Sequence, residues 1–294
     1  MILISILVAL IVERLGAKST RWQIDYYLAQ YQTLSYQKGA GTWLFKSSIG
    51  AVLWLMLPAL LVAFIYSLSD FVLWQLALNV MVLLVCFGCA KYRKSYKGYL
   101  NALARDDNEA ATLYALQMGQ TRTEDEPNGE TFGQTLAWIN FTHYCAVMFW
   151  FVLLGAPGAI MYAVTRAVVE VLRDEVNGEP TDSDKRCIEL MSPHSQRFSL
   201  LFHCFNWLPA RLAGFGYLII GNFSKGTGSW LKYLLDFKTC NRQVVTETAL
   251  AAEQIEQQYF GCTYEAACMM RLVKRNVLFY LFLVAALTLF AGLN

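Results

Sequence analysis

The sequence has few charged side chains and few histidines for its length. Charged residues make up 16% of the 294 positions, against about 25% in soluble proteins, and His143, His194 and His203 stand far apart. The Walker phosphate loop, Gly-x-Ser-x-Gly, His-Glu-x-x-His and zinc-ligand spacings are all missing from the sequence. A net charge of +2 gives no basis for nucleic-acid binding. We therefore expect no metal site, no nucleic-acid partner and no catalytic residue of these types, and no cofactor is identified.

The eight cysteines are too few, in a chain of this length, to form a disulfide scaffold. Cys86, Cys89 and Cys145 lie within apolar stretches. The Cys86-Phe87-Gly88-Cys89 run has the spacing of a redox or metal motif, but its surroundings are those of a membrane helix. We expect buried thiols that pack as small hydrophobic side chains.

Apolar residues, by contrast, make up 56% of the chain and are concentrated in blocks. Blocks of this length and composition predict an all-α, polytopic helical membrane protein with additional membrane-associated amphipathic helices. Met1–Val12 and Phe198–Ile220 either cross the membrane, re-enter it or lie buried, so the sequence predicts four to six crossings. The crossings expected in outline are Trp43–Tyr66, Phe71–Ala90, part of Gln134–Leu172, and Val277–Gly292. Pro58 is tolerated within the first of these if a neighbouring helix satisfies the carbonyl that it frees.

Basic residues flank the hairpin formed by the first two long apolar blocks. They are Arg14, Lys18, Arg21, Lys38 and Lys46 before it, and Lys91, Arg93, Lys94 and Lys97 after it. Because such clusters stay on the cytoplasmic side, we expect the Ser67–Asp70 turn to face the periplasm. The whole chain then forms a single membrane domain, residues 1–294. Its polar parts are a cytoplasmic helix and acidic loop (91–133), a polar connector (173–197) and an amphipathic surface segment (224–275). Within the first of these, Gly98–Gly119 is expected to form one helix.

Asn206, Pro209 and Arg211 interrupt an apolar segment. Polar residues at membrane depth are costly and usually face a protein interior, a cavity or a partner. Pro209 frees a carbonyl one turn earlier, which a donor such as an arginine could bind. Arg211 therefore either contacts a ligand or anion, or reaches the headgroups or caps a broken helix.

Three carboxylates follow closely in Arg105-Asp106-Asp107-Asn108-Glu109. On one helix, Asp106 and Glu109 would share a face. Carboxylates placed in this way could hold Mg²⁺ together with water, whereas the alternative is an ordinary solvated helix face.

In two further stretches, polar or helix-breaking residues lie within or at the end of an apolar helix. Gly155-Ala156-Pro157-Gly158 is expected to break or kink its helix, with Tyr162 and Arg166 on the turns that follow. Broken membrane helices often build binding sites, although the kink could equally serve packing alone. Glu13-Arg14 ends the N-terminal apolar helix, either as an interfacial boundary or as part of a polar site.

These stretches together resemble the AmpE family of bacterial inner-membrane proteins. The resemblance runs in order along nearly the whole chain, and it implies a regulatory role linked to β-lactamase induction and cell-wall recycling. It also implies a multi-pass protein in the inner (plasma) membrane, in contact with the lipid bilayer. The matching residues are Glu13-Arg14-Leu15 with Trp22, Ala90-Lys91 with Tyr99-Leu100, Arg105 with Asp107, Leu136-Ala137-Trp138-Ile139-Asn140-Phe141, and Asn206 to Gly214.

A more remote resemblance is to the CobD/CbiB family, the cobalamin-pathway synthases that attach the aminopropanol arm to the corrin. It implies a common fold. However, the synthase acids are absent from Thr135–Asn140, Thr165-Arg166 and Val169-Glu170 stand where the synthases have Asn and Asp, and the N-terminal His-Pro is missing. The islands that match are Ala102-Leu103 to Glu109-Ala110-Ala111, Gly155 to Tyr162, and Asn206 to Arg211.

Two functional hypotheses follow. In the first, an AmpE-type regulatory modulator binds an anionic or cell-wall-derived ligand, or a membrane protein partner, at a polar pocket between helices. Its expected binding residues are Asn206, Arg211, Asp107, Tyr162, Arg166 and Glu13. The alternative is a membrane enzyme that retains amide-forming synthase chemistry, with Asp106, Asp107 or Glu109 holding a metal ion and Arg211 meeting an anionic group.

Overall fold

The structure is a computed structural model that describes residues 1–15, 22–37, 43–123, 126–174, 191–253, 255 and 263–290. Within these ranges the chain is helical and contains no strand, which confirms the all-α prediction. The polar connector falls largely on residues 175–190, outside the described residues, as do Lys18, Arg21 and Lys38. The helices are α1 (Ile2–Leu15), α2 (Ile24–Gln37), α3 (Ser48–Ser67), α4 (Val72–Phe87), α5 (Ala90–Leu103), α6 (Asn108–Gln117), α7 (Phe132–Asn140), α8 (Ala146–Asp174), α9 (Ser195–Ile220), α10 (Phe223–Leu234), α11 (Asn241–Glu253) and α12 (Thr263–Phe290).

Three of the described helical stretches are long and apolar enough to cross a membrane. They are Ser48–Ser67, Phe132–Arg173 and Thr263–Phe290. Helices α4 and α5 meet at a 47° bend and give a fourth span if the pair is counted as one. These stretches correspond to the four crossings expected in outline, and the protein is a membrane protein. Residues 198–220, whose apolar sequence Asn206, Pro209 and Arg211 interrupt, lie in the continuous 26-residue helix α9.

The chain divides into two compact units. The first comprises residues 1–88, 146–206 and 286–294. Here α1, α2, α3 and α4 all pack against α8, which lies at the centre. Helix α1 turns Ser5, Ile6, Ala9 and Glu13 inward as one stripe and leaves most of its other apolar side chains exposed. The N-terminal apolar segment is therefore a short helix of 14 residues packed on its neighbours.

The second unit comprises residues 89–145 and 207–285. Helices α5 and α6 pair, α10 pairs with α11, and α11 packs on α7. Between α7 and α8, residues Phe141–Cys145 form one wider π turn. Aromatic and small side chains form the core of this unit: Tyr99, Ala102, Ala111, Ala115, Met118, Phe132, Leu136 and Ala266.

Candidate functional site

The central helix α8 is broken at Gly155. This residue has φ 67° and ψ −156°. These dihedral angles are far from those of an α-helix, and glycine adopts them without a steric penalty because it has no Cβ. Past the break the backbone comes so close to the preceding turn that a Cβ on Gly158 would lie 2.6 Å from the carbonyl oxygen of Trp150. The break expected from Gly155-Ala156-Pro157-Gly158 is confirmed.

About two turns beyond the break, Tyr162 faces Asn206 of helix α9. The Tyr162 hydroxyl donates to Asn206 Oδ1 over 2.8 Å. Asn206 Nδ2 in turn donates to the Phe202 carbonyl over 2.9 Å. Both side chains are buried, so each polar atom needs its partner, because an unpaired polar group in this environment costs several kcal/mol. We call this hydrogen bond the Tyr162–Asn206 pair.

Proline in α9 leaves a backbone acceptor that the structure satisfies. Pro209 has no N–H, so the carbonyl of Phe205, four residues earlier, loses its helical partner. The indole Nε1 of Trp150 donates to it over 3.2 Å, and the two rings meet edge to face. The sequence suggests an arginine as a candidate donor for this carbonyl. The donor is instead Trp150, because the packing of the first unit places its indole N–H next to the Phe205 carbonyl.

The same arrangement recurs at Pro58 in α3. The Trp54 carbonyl, freed by Pro58, accepts from the Tyr31 hydroxyl of α2 over 3.0 Å. The rings of Tyr31 and Trp54 stack at 4.7 Å, and the Trp54 indole donates to Ser35. The expectation that a neighbouring helix satisfies this carbonyl is confirmed.

Two charged residues lie inside the first unit. The guanidinium of Arg166 donates from Nη2 to the Cys86 carbonyl over 3.2 Å, and its Nε lies 4.0 Å from Glu170 Oε1. Arg166 is 1% exposed and Glu13, on the inward stripe of α1, is 4% exposed. Since a guanidinium is always charged, its position depends on these acceptors.

Arg211, in the second unit, donates to three protein acceptors through its two terminal nitrogens. Nη1 donates to the Trp207 carbonyl and to Asn241 Oδ1, and Nη2 donates to the Asp236 carbonyl. The guanidinium also lies 4.8 Å from the centre of the Trp207 ring, a cation–π contact. Arg211 with Trp207, Asp236 and Asn241, here the Arg211 clasp, therefore ties α9 to the loop that joins α10 and α11.

The Asp236 carboxylate shapes that loop. It accepts from the Thr239 hydroxyl and from the backbone N–H groups of Lys238 and Thr239. These hydrogen bonds, the hydroxyl of Thr239 first, hold the pKa of Asp236 below its ordinary value. The Asp236 carboxylate therefore accepts its hydrogen bonds from groups of its own loop.

The acidic cluster lies at a helix break. Helix α5 ends at Leu103 and α6 begins at Asn108, so the expectation of one helix over Gly98–Gly119 is wrong. Asp106 takes the left-handed conformation with φ 57°, which aspartate tolerates better than most residues, and this ends α5. Asp107 caps α6 by accepting from the Ala110 N–H over 3.0 Å. Asp106 and Glu109 therefore do not share a face of one helix.

Comparison with known proteins matches the whole chain, residues 1–294, to the family model described as "Regulatory signalling modulator protein AmpE". This chain belongs to the AmpE family. A curated relative, "Protein AmpE" of Shigella flexneri, is 28% identical over 262 residues, which cover 85% of this chain and 84% of that protein. No solved structure matches. The AmpE resemblance seen in the sequence is thereby confirmed, whereas likeness to the CobD/CbiB synthases is not shown and stays a prediction.

In this AmpE-family chain, the structure joins only some of the predicted site residues directly. Tyr162 and Asn206 bond to each other, and Arg166 and Glu13 are buried in the same unit. Asp107 serves its own helix, and Arg211 is engaged by the clasp.

Sequence reasoning missed the partners that complete these networks: Tyr31, Trp150, Asp236 and Asn241. A signal for the first two was present, because a proline inside an apolar helix requires a donor, and aromatic hydroxyl and indole groups can supply one. It also missed Glu265, buried in the first turn of α12, which accepts from the Thr131 hydroxyl at the start of α7. A carboxylate at a helix N-terminus is favourably placed.

Proposed function

We propose that this AmpE-family chain modulates β-lactamase induction from the bacterial inner membrane, in connection with cell-wall recycling. The observation that carries the proposal is the match of the whole chain to a family described as a regulatory signalling modulator. The membrane-crossing helices and the basic clusters beside them support an inner-membrane location.

The proposed responsive site is the Tyr162–Asn206 pair, with Arg166 and Glu13 as the charged residues of the same unit. Buried polar groups in a membrane protein are costly and usually functional. The pair spans two helices, and one of them is broken at Gly155, only seven residues before Tyr162. A helix kinked at one glycine can change the direction of its second part through a change of φ and ψ at that residue.

The pair also suits a change of partner. Tyr162 is a donor and Asn206 Oδ1 an acceptor, so an anionic ligand could accept from the tyrosine, or a polar group of a membrane protein could replace either member. The equilibrium between the paired and the separated side chains would shift only if the ligand or partner binds one of these two states more tightly. Arg211 and Asp107 then act as supporting residues, the first holding a loop and the second capping a helix.

The experiment that tests the regulatory role is a clean deletion in a host with an inducible chromosomal β-lactamase. We expect the ratio of induced to uninduced β-lactamase activity to change and to return when the wild-type chain is supplied. Unchanged induction together with unchanged pools of cell-wall fragments would contradict the role.

The orientation follows from labelling of single cysteines with a membrane-impermeant reagent. Ser69→Cys, in the turn between α3 and α4, should label from outside the cell. Lys97→Cys, in α5, should label only after the inner membrane is opened. The reverse pattern would invert the proposed topology.

The enzyme alternative gains no specific support from the described geometry. Asp107, the candidate metal ligand, caps α6. No group of three histidine, cysteine or acidic residues is arranged to hold a metal ion within the parts of the chain that the structure describes.

A further inference from the structure

Helix α10 and the loop after it, residues 223–238, carry three distinct faces. Gly226 and Tyr233 face the protein and are buried. A second face is apolar yet exposed: Phe223 is 58%, Leu231 56% and Leu235 77% accessible. Successive positions on a helix differ by about 100°, which places Phe223 and Leu231 on one side of the inward face. Such an exposed apolar stripe is unfavourable in water.

The third face is cationic. Lys225 and Lys232 fall together on the far side of the apolar stripe, Lys238 follows in the loop, and all three are exposed. No acidic residue occurs between residues 223 and 235. The first acid, Asp236, is occupied by the hydroxyl and N–H groups of its own loop. Lys232 Nζ also donates to the Tyr233 hydroxyl over 3.0 Å, and that hydroxyl donates to Glu247 of α11. The segment therefore presents apolar surface beside exposed lysines, of which Lys232 is partly engaged by the protein.

The second unit holds this segment rigidly. Asn222 caps α10 by accepting from the Lys225 N–H, and the Trp230 indole donates to the Arg211 carbonyl over 2.9 Å. In the loop, the exposed ring of Phe237 stacks on Trp207 at 4.4 Å with 5° between the ring planes. The Arg211 clasp fixes the adjacent Asp236 carbonyl. Residues 223–238 are thus presented as a preformed surface, and binding to it requires little ordering.

We propose that residues 223–238, here the interfacial segment, lie in the headgroup layer of the membrane and bind anionic phospholipids. The exposed apolar side chains enter the boundary between headgroups and acyl chains. The lysines beside them meet lipid phosphates. A helix with one apolar face and a lysine-bearing polar face is the type that lies in the membrane interface, and an anionic leaflet attracts each lysine near its surface. This inference is independent of any role in β-lactamase induction.

The test uses the full chain reconstituted in vesicles, with one environment-sensitive label at Leu231→Cys and the other reactive cysteines replaced by serine. Leu113→Cys is the matched control, because Leu113 is also an exposed leucine on a short helix (57% accessible) but follows the acidic run Asp106 to Glu109. Vesicles are made of phosphatidylcholine alone or with increasing phosphatidylglycerol. Quenching by iodide in the water and by brominated lipid is measured at both positions.

We expect the Leu231 label to be shielded from iodide and quenched by brominated lipid, increasingly as phosphatidylglycerol is added, while the Leu113 label stays open to iodide. Replacing Lys225, Lys232 and Lys238 by Gln should raise the phosphatidylglycerol fraction needed for half-maximal quenching. Each lysine that is replaced should lower the affinity of the segment for the anionic surface about fivefold. Lys225 and Lys238 are exposed, whereas Lys232 also donates to the hydroxyl of the buried Tyr233 over 3.0 Å, so the double variant that keeps Lys232 should show the same direction of change.

Three results would overturn the proposal. One is a Leu231 label as open to iodide as the Leu113 label in every vesicle. Another is shielding that is identical with and without phosphatidylglycerol and in the Lys→Gln variant. The third is shielding that appears only at high protein-to-lipid ratio, which would assign the surface to a second copy of the chain.

Discussion

The hydrogen bond from Tyr31 to the Trp54 carbonyl should stabilise the protein only because Pro58 leaves that carbonyl without its helical partner. Tyr31→Phe removes the hydroxyl and keeps the ring that stacks on Trp54. Burial raises the pKa of Tyr31 to about 12, so the donating proton is present at ordinary pH. Interhelical hydrogen bonds in membrane proteins average about 0.6 kcal/mol and reach about 1.7. Because Trp54 is 2% exposed, water does not replace the lost donor, and we expect a cost of about 1 kcal/mol.

Pro58→Ala supplies the matched background. Alanine restores the N–H that bonds the Trp54 carbonyl within α3, so Tyr31→Phe should then cost under about 0.3 kcal/mol. The coupling would be about 0.7 kcal/mol, above the roughly 0.3–0.5 kcal/mol by which distant sites fail to add. The free energy of unfolding in mixed micelles is measured for the four proteins of this double-mutant cycle: wild type, the two single variants and the double variant. Tyr27→Phe, the same change at an exposed position of α2, should stay within about 0.5 kcal/mol of wild type. An equal cost of Tyr31→Phe with and without Pro58 would refute the reasoning.

Three other changes separate roles that the sequence left open. Asp107→Ala should destabilise by about 1 kcal/mol through loss of the α6 cap, whereas Asp107→Asn should be nearly neutral, since asparagine caps equally well; a Mg²⁺-dependent melting temperature that Asp107→Asn abolishes would instead favour a metal site. Gly158→Ala should cost about 1–3 kcal/mol because its Cβ would press on a backbone carbonyl, while Gly228→Ala, with nothing within 4 Å, should be neutral or stabilising; equal effects would count against the close approach. The lowered pKa of Asp236 contributes stability above its ordinary value of 3.8 that is lost as the pH falls through the lower folded value; acid unfolding curves should show this loss in wild type and not in Asp236→Asn, and identical curves would be the contrary result.

The membrane helices could be predicted from the sequence because their signal is local. A block of about 20 apolar residues must form its own backbone hydrogen bonds in lipid, and that leaves the helix as the only solution for a single segment. The same rule predicted a partner for the carbonyl that Pro58 frees. It could not name Tyr31, because that depends on how α2 packs against α3.

The misplaced feature was the acidic turn at Asp106. Composition over Gly98–Gly119 favours a helix throughout, and one residue in the left-handed conformation divides it. Arg211 shows why the partners of a polar residue could not be predicted from the sequence. The sequence required acceptors for its charge, but Asp236 and Asn241 lie 25 and 30 residues away, and only the fold brings them together.

The most direct test of the regulatory account compares two tyrosine variants in the deletion strain. Tyr162→Phe removes the hydroxyl that binds Asn206, and Tyr31→Phe removes a partly buried hydroxyl hydrogen bond elsewhere in the same unit. The measurement is the ratio of induced to uninduced β-lactamase activity at matched membrane abundance of each protein. We predict that Tyr31→Phe restores wild-type induction and Tyr162→Phe does not. Full rescue by Tyr162→Phe, at wild-type abundance, would contradict a role for the Tyr162–Asn206 pair in regulation.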